Sequence, residues 1–163
     1  MAFDAFVKID GIPGESTDDK HKDWIEILSY RHGLTQPASA ASATTGRSAE
    51  RVNIENFTIV KILDKATPTL HLACCDGRHI KKVELELCEA GGEKHPYMKY
   101  TLENVIVSSV RPGGSSGGGD TKPLEEISFN FGQVRWEYTP LDSQGNPGSP
   151  QRTGWSLENN KKL

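Results

Sequence analysis

The sequence predicts a mainly β protein: a β-barrel of two packed antiparallel sheets with one lateral α-helix at about residues 64–76. Three observations point to this class. Apolar and polar residues alternate with a period of two along most of the chain, as in strands with one buried face. A helical period is clear in one segment. The length of 163 residues suits a single domain, which we assign to residues 1–163.

The first two strands are predicted near the N-terminus. In Ala2–Ile9 the odd-numbered residues are apolar and share one face. Phe6 interrupts the polar face of that strand, so we expect part of the outer face to be covered. After a charged loop, Trp24–His32 is predicted as a second strand. Neither of its faces is purely polar, which is typical of a strand that contacts protein on both sides.

A polar segment at residues 34–51 follows these strands. Its central stretch, TQPASAASATTGRSAE, has no large apolar residue and no periodicity, which predicts a long flexible loop. Loops of more than about 12–15 residues in a compact domain are usually functional or disordered. Both interpretations stay open for this segment.

A strand and then the helix are predicted in the middle of the chain. A change of apolar parity within Val52–Ile62 predicts a β-bulge near Glu55. For the helix, Asp64 or Thr67 is the expected N-cap, and Gly77 is the expected C-terminal stop. The residues that form its single apolar stripe are Leu63, Ala66, Leu70, Ala73 and Cys74.

A hairpin is predicted after the helix. Residues 83–87 alternate between apolar residues and glutamates, and the pair Gly91-Gly92 is typical of a turn. The partner strand is predicted at Tyr97–Val110. Residues 111–123 then form a second long flexible loop, rich in glycine.

Strand patterns continue to the C-terminus. In residues 127–138 the apolar parity changes at Gly132-Gln133, which predicts a bulge or a bend between two packed sheets. A short terminal strand contains Trp155 and Leu157. Together with the earlier elements this gives seven or eight strands, whose topology the sequence leaves open.

Composition and charge exclude several classes of function. With 19 basic and 22 acidic residues and a formal net charge of -3, the chain has no basic surface for a phosphate backbone, so we expect no nucleic-acid partner. The longest aliphatic run, Val105–Val107, is far shorter than the roughly 20 residues of a membrane helix, so we expect no membrane insertion. The N-terminal residues have no basic region, and we expect no cleaved signal peptide.

We predict no catalytic residues, no metal site and no cofactor. The three cysteines are Cys74, Cys75 and Cys88, an odd number that suits a reducing compartment. Their spacing matches no zinc motif, no histidine pair lies beside them at ligand spacing, and we expect them to be buried or half-buried. The glycine-rich loop lacks the lysine of a phosphate-binding loop, and no HExxH or GxSxG motif is present. The sequence thus predicts a protein that is not an enzyme.

The chain nevertheless resembles one family nearly end to end: Hcp, the tube protein of the bacterial type VI secretion system. The segments that carry the resemblance are FVKIDGIPGES, DKATPTLHLACCDG, AGGEKHPYMKYTLENVIVSSV, ISFNFGQVRWEYTPLDSQG and GWSLENN. Each is weakly informative alone, and their order and spacing together are specific.

The resemblance implies a structural and transport function. Six copies close into a ring, and rings stack into a tube that a contractile sheath drives outward behind a spike protein. Effector proteins travel in the lumen, so the subunit is also their carrier or chaperone. Such proteins are made in the cytoplasm and secreted without a cleaved signal peptide.

Within this picture the two long loops are suited to contacts between subunits, unless they are disordered surface loops. The ring and stacking candidates are Gln36, Ser39, Thr44, Thr45 and Arg47 in the first loop, and Ser115 and Asp120 in the second. Ser29 and Arg31 share one face of the second strand and are the candidates for lumen and effector contact. An Arg31 side chain on the outer wall is an equally good interpretation.

Two other functions stay open at this point. A small-molecule-binding barrel of the lipocalin kind requires a ligand-sized void lined by apolar side chains. A hydrolase with an unrecognised site requires a buried pair of a histidine and a carboxylate in a cleft.

Overall fold

The structure is a computed structural model, and it describes residues 2–38, 47–117, 119 and 122–163. These residues form one helix and eleven strands, several of them very short. The strands are β1 (Phe3–Ile9), β2 (Ile25–Ile27), β3 (Ser29–Arg31), β4 (Leu34–Thr35), β5 (Asn53–Ile54), β6 (Phe57–Ile62), β7 (Ile80–Glu89), β8 (Pro96–Gly113), β9 (Leu124–Tyr138), β10 (Gln151–Ser156) and β11 (Lys161–Lys162), and the helix is α1 (Thr67–Asp76).

The predicted fold class is confirmed: the protein is mainly β, its strand pairs are antiparallel, and two layers pack on each other beside one helix. The main hydrogen-bonded path runs β11-β10-β9-β8-β7-β1-β2. Off this path, β6 pairs with both β9 and β3. β4 and β5 form a separate two-stranded sheet.

The predicted strand Trp24–His32 is divided at Leu28, which corrects the prediction of one continuous strand. β2 pairs with β1, whereas β3 pairs with β6 in the other layer. The Leu28 N–H donates to the Val60 carbonyl at 2.7 Å. The chain itself therefore crosses from one layer to the other at Leu28. Among the described strands, β2 and β3 are joined here by the chain and not by a hydrogen-bonded ladder, so the barrel is not closed.

β9 also belongs to both layers, and it bends where the sequence predicts. Its first half pairs with β6 and its second half with β10. Phe131, Gly132 and Val134 are all buried, so the apolar parity changes at the predicted position. A Cβ atom on Gly132 would lie 2.2 Å from Glu158 Oε1, so a larger residue here would displace the flexible Glu158 side chain.

The core lies between the two layers and under the helix. Apolar side chains from β1, β6, β7, β8 and β9 fill it, and many of them are completely buried. Phe57, Ile59, Ile127 and Phe129 are each at most 1% exposed. At about 25 cal/mol per Å² of buried apolar surface, this packing is the main stabilising contribution.

The helix begins three residues later than the predicted residue 64. Ala66 is the N-cap and has no side-chain capping bond. Asp64 Oδ1 instead accepts from the Ala66 N–H at 2.9 Å, and Thr67 Oγ1 accepts from the Asp64 N–H at 3.1 Å, so both predicted caps shape the preceding turn. The predicted stop is confirmed, because Gly77 ends the helix with a φ of 64°.

Both predicted loops are shorter than expected at their described ends. Leu34 and Thr35 pair with β5, and residues 111–113 pair with the first residues of β9. These short strands consist mostly of polar residues, so the alternation of apolar and polar residues did not predict them. Within the described residues, α1 is the longest helix and has ten residues, and no helix there is long and apolar enough to span a lipid bilayer.

Candidate functional site

Four exposed apolar side chains lie where the two layers meet, and we call them the corner patch: Phe3, Leu28, Ile62 and Leu124. Their exposed fractions are 43%, 56%, 42% and 43%. Ile62 and Leu124 are register partners in β6 and β9. Phe3, Leu28 and Ile62 line one surface cleft of about 490 Å³. Adjacent exposed apolar side chains of this kind mark an interaction surface.

A second feature is the two-stranded sheet of β4 and β5, which we call the β4–β5 pair. Gln36, a predicted contact residue, closes its base, because its Oε1 accepts from the Glu50 N–H at 2.9 Å. Arg47, also predicted, is exposed. Three other predicted residues of this loop, Ser39, Thr44 and Thr45, lie outside the described residues.

The glycine-rich loop adjoins the corner patch. Its predicted residue Ser115 is exposed and lines a cleft of about 450 Å³ together with Leu124 of the patch. Lys122 lines both this cleft and the larger one beside Leu28. Asp120, the other predicted residue, lies outside the described residues. The structure therefore brings Ser115, but not Gln36, next to the corner patch.

Ser29 and Arg31 are both exposed and project from the same face of β3. Tyr30, between them, points the other way and stacks on Phe57 with ring centroids 5.9 Å apart. The predicted shared face is thus present on an exposed strand. Whether it faces a lumen depends on the assembly.

An aromatic cluster supports this strand from inside. Tyr30, His32, Phe57 and Tyr100 contact one another, and Trp136 Nε1 donates to His32 Nε2 at 3.3 Å. Burial lowers the pKa of His32 and raises that of Tyr100. Both side chains are therefore neutral at pH 7, as an apolar packing role requires.

Two charged side chains, Lys61 and Glu125, are completely buried between β6, β9 and the start of the helix. Together with the half-buried Asp64 and Thr67 they form a group that we call the helix-side cluster. Lys61 Nζ lies 2.8 Å from Glu125 Oε2 and 2.8 Å from Asp64 Oδ1. The Thr67 hydroxyl donates to Glu125 Oε2 at 2.8 Å. Lys61 and Glu125 are each 0% exposed, so every charge in the group depends on its partners.

A second polar group, the loop-side cluster, covers the outer face of β1 and β7: Asp18, His21, Glu86 and Cys88. His21 is 1% exposed and its ring stacks on Phe6 at 4.2 Å, so the predicted covering of Phe6 is confirmed. Both ring nitrogens bond to carboxylates: Nδ1 lies 2.8 Å from Asp18 and Nε2 lies 2.7 Å from Glu86.

The pKa values of this cluster follow from these contacts. The hydrogen bond from His21, together with Lys94, lowers the pKa of Asp18. Burial, with the neighbouring carboxylates, raises the pKa of the Cys88 thiol to about 12. Cys88 is therefore a buried thiol and not a reactive thiolate.

The histidine and carboxylates of the loop-side cluster are the pair that a hydrolase would need. Their geometry does not suit a general base, because both nitrogens of His21 are already bonded to carboxylates and the ring is covered. His71, beside the helix-side cluster, donates from Nδ1 to the Thr67 carbonyl at 2.7 Å. A lipocalin-like function is also unsupported, because aromatic and aliphatic side chains fill the space between the layers.

One cysteine prediction needs correction, because Cys75 is exposed and not buried or half-buried. Cys88 is buried and lies 3.9 Å from His21 Nε2. The two residues are 67 positions apart, so no spacing motif could reveal the contact. The one available signal was Phe6 on the polar face of β1, which indicated that a segment covers this surface.

Comparison with known proteins agrees with this architecture. Residues 6–138 match the family described as type VI secretion system effector, Hcp. The chain is 38% identical to protein hcp1 of Pseudomonas aeruginosa over 98% of both sequences. It superposes on a structure described as that of a type six secretion system protein with a TM-score of 0.94 and 37% identity, over 99% of this chain and 100% of the other.

A third relative is Hcp1 from Salmonella typhimurium, whose crystal structure has a TM-score of 0.82 and 36% identity over 100% of both chains. The predicted family is thereby confirmed by sequence and by fold. The chain belongs to the Hcp family of type VI secretion system proteins.

Proposed function

We propose that the chain is the ring-forming subunit of the inner tube of a type VI secretion apparatus. Six copies form a ring, rings stack into a tube, and the lumen carries effector proteins. The observation that carries this proposal is the match of fold and sequence over the full chain with type VI secretion proteins. A contractile sheath and a spike protein of the same system are the further partners.

The corner patch is the proposed contact between neighbours in the ring. Its apolar side chains lie at a place where the chain crosses between layers, and the cleft beside them offers a recess for a neighbour's side chains. A closed ring needs two unlike surfaces on each subunit, because head-to-tail contacts repeat around it. The corner patch is proposed as one of these two surfaces.

Two matched leucine variants test the ring contact. Leu28 is 56% exposed in the corner patch, and Leu72 is 54% exposed on the helix. We expect the unmodified chain to show six times its 17.9 kDa mass by light scattering, and Leu28→Glu to shift it to the monomer. Leu72→Glu should leave the ring intact.

Circular dichroism of both variants checks that they are folded. The proposed function would be contradicted if the unmodified chain stayed monomeric at high concentration and showed no rings by negative-stain microscopy. Equal behaviour of the two leucine variants would instead reject only the corner patch as the contact.

The two predicted loops, residues 34–51 and 111–123, are the proposed stacking contacts. Their candidate residues are Gln36, Ser39, Thr44, Thr45, Arg47, Ser115 and Asp120. We expect Arg47→Glu to leave single rings intact and to reduce the number and length of stacked tubes in micrographs. The exposed Arg51→Glu, four residues further along the same segment, is the control for charge reversal alone. Unchanged tubes with Arg47→Glu would exclude this residue from the stacking contact.

Ser29 and Arg31 are the proposed lumen residues. They project together from β3, away from the aromatic cluster that supports the strand. A density map of the ring should place both side chains on the channel wall. Arg31→Glu should then alter effector retention while leaving the ring mass unchanged. Their position on the outer wall would reject the assignment.

We further propose that the chain folds in the cytoplasm and is exported without loss of its N-terminal segment. β1 pairs on both sides, with β2 and with β7, and its Val7 is 0% exposed. Removal of this strand would break the fold. Intact mass of the secreted protein should therefore show the complete β1.

A further inference from the structure

The loop-side cluster contains an arrangement that ring formation does not require. His21 comes from the loop between β1 and β2, and Glu86 and Cys88 come from β7. Glu86 and Cys88 are two residues apart on a strand, so their side chains share the outer face. The Nε2 atom of His21, a carboxylate oxygen of Glu86 and the sulfur of Cys88 all lie within 4.8 Å of one another.

These three groups are a donor set that metal ions recognise. Imidazole, thiolate and carboxylate are the ligands that Zn²⁺ takes in proteins, at about 2.0–2.1 Å for nitrogen and about 2.3 Å for sulfur. Tetrahedral binding at those lengths leaves the nitrogen and sulfur about 3.6 Å apart. The observed separation between His21 Nε2 and Cys88 Sγ is 3.9 Å, so one ion reaches both with little movement.

Glu86 needs a larger adjustment. Its Oε2 is 2.7 Å from His21 Nε2, which is a hydrogen-bond distance, whereas two ligands of one tetrahedral ion lie about 3.3 Å apart. A shift of about 0.6 Å in a glutamate side chain is therefore required. Its side chain is 13% exposed, so the solvent side of the cluster gives it room.

Asp18 supplies the feature that distinguishes this cluster from an ordinary buried hydrogen-bond group. It bonds to Nδ1, the ring nitrogen that does not face the thiol, at 2.8 Å. A carboxylate on the far nitrogen of a ligating histidine fixes the tautomer and the ring orientation in many metal sites. Lys94 in turn holds Asp18 at 3.1 Å and Asp4 at 3.0 Å, so the orienting carboxylate is itself fixed.

The charges around the thiol also favour a cation. Asp4, Asp18 and Glu86 are the carboxylates that, with burial, raise the pKa of the Cys88 thiol to about 12. The same negative field that opposes a thiolate attracts a divalent ion. One Zn²⁺ with one thiolate and one carboxylate is neutral overall, which lowers the cost of burying it.

We propose that His21, Glu86 and Cys88 form a Zn²⁺ site in which Asp18 holds the histidine from its other nitrogen. On binding, the proton of the Cys88 thiol and the proton of His21 Nε2 pass to solvent water, and both lone pairs go to the metal. Three protein ligands leave the fourth position to a water molecule. The ion joins the β1–β2 loop to β7 across 67 residues of sequence.

The test uses the complete chain, with any affinity tag removed and metals stripped by a chelator. A Cys74→Ser/Cys75→Ser background leaves Cys88 as the sole thiol, because the chain has three cysteines. Added Co²⁺, the spectroscopic substitute for Zn²⁺, should give the near-ultraviolet thiolate-to-cobalt charge-transfer band in this background. Addition of Zn²⁺ should remove that band with a stoichiometry of one ion per chain.

Variants then assign the ligands. Cys88→Ser should abolish the cobalt band and the retention of Zn²⁺ after gel filtration, measured by elemental analysis. Asp18→Asn should weaken Zn²⁺ binding by about 10- to 100-fold, as loss of an orienting carboxylate does. Cys75→Ser, which removes an exposed thiol, is the matched control and should bind Zn²⁺ as the unmodified chain does.

Absence of the cobalt band in the background that retains Cys88 would overturn the proposal, and this result does not depend on the folding of any ligand variant. Zinc affinity that is unchanged in a folded Cys88→Ser variant would overturn it equally. The outcome is independent of the ring experiments, since a monomer contains all four residues.

Discussion

The helix-side and loop-side clusters are both groups of charged side chains in a β protein, and they differ in how their charges are balanced. In the helix-side cluster a completely buried lysine is bonded to two carboxylates and a hydroxyl, so its charge is balanced within the group. In the loop-side cluster the carboxylates of Asp18 and Glu86, 15% and 13% exposed, surround a buried histidine and a buried thiol. The first arrangement is a closed structural unit, whereas the second has donor atoms that another cation can use.

The largest effect is expected when the closed unit loses a charge. Glu125→Gln removes the carboxylate 2.8 Å from Lys61 and leaves a 0% exposed ammonium with Asp64 as its remaining carboxylate partner. We expect a loss of about 3–5 kcal/mol in the free energy of unfolding, measured with a chemical denaturant. Glu126→Gln, at the next position of β9, is the control and should change little. A loss of under about 1 kcal/mol for Glu125→Gln would show that the pair does not hold the layers together.

Replacing both Lys61 and Glu125 tests whether the stability lost in Glu125→Gln is due to the unpaired charge. In Lys61→Met/Glu125→Leu both completely buried charges are gone, and Asp64, which is 13% exposed, keeps the Ala66 N–H as a donor. We therefore expect most of the stability lost in Glu125→Gln to return, as for other buried pairs replaced by apolar residues. Denaturant unfolding of the double variant gives the measurement. If it is no more stable than the single variant, packing around these side chains and not the unpaired charge is responsible.

A smaller effect is expected from the hydroxyl of the helix-side cluster. Thr67→Val keeps the shape and removes the group that donates to Glu125 Oε2 and accepts from the Asp64 N–H. Loss of hydrogen bonds to a buried charge predicts about 1–3 kcal/mol of destabilisation, measured by thermal and denaturant unfolding. Thr69→Val, on the same helix, is the control. Equal effects of both would assign the loss to helix propensity.

The smallest effect is expected in the loop-side cluster without added metal. Asp18→Asn weakens a bond to His21 that lies close to solvent, and we expect a loss below about 1 kcal/mol at pH 7. Because the folded pKa of Asp18 lies below the ordinary 3.8, its contribution is present above that pH and is lost as the pH falls through the lowered value.

The pH dependence gives this last prediction its measurement. Between about pH 6 and about pH 3, the free energy of unfolding should fall less steeply with decreasing pH in Asp18→Asn than in the unmodified chain. The difference should be confined to the acid end of this range. Asp19→Asn, an exposed neighbour, should not change the slope. Identical slopes for all three proteins would mean that the Asp18–His21 bond does not contribute to stability.

Local patterns in the sequence predicted those parts of the fold that local interactions determine. The alternation in β1, the covering over Phe6, the bend at Gly132 and the stop at Gly77 each depend on a few adjacent residues. The division of the second strand at Leu28 could not be predicted, because it follows from a change of partner between β1 and β6. The periodicity of the strand is the same with or without that change.

The functional residues were less predictable for the same physical reason. The contact of His21 with Cys88 requires the register that places Phe6 opposite Glu86, and register is a property of paired strands. The corner patch likewise consists of residues from three strands and of Leu28 between β2 and β3, and their apolar character alone indicated burial. Gln36, Arg47, Ser115, Ser29 and Arg31 stay predictions as contact residues, since a ring is needed to test them.

The central position of β1 has a consequence for biosynthesis. β1 ends at Ile9, and its longest partner, β7, ends at Glu89, about 80 residues later. At a translation rate of roughly 5–20 residues per second, the first strand waits about 4–16 s on the ribosome before that partner exists. Its apolar face is exposed to other nascent chains during this delay. Chaperone binding to the N-terminal segment is therefore most valuable during this interval.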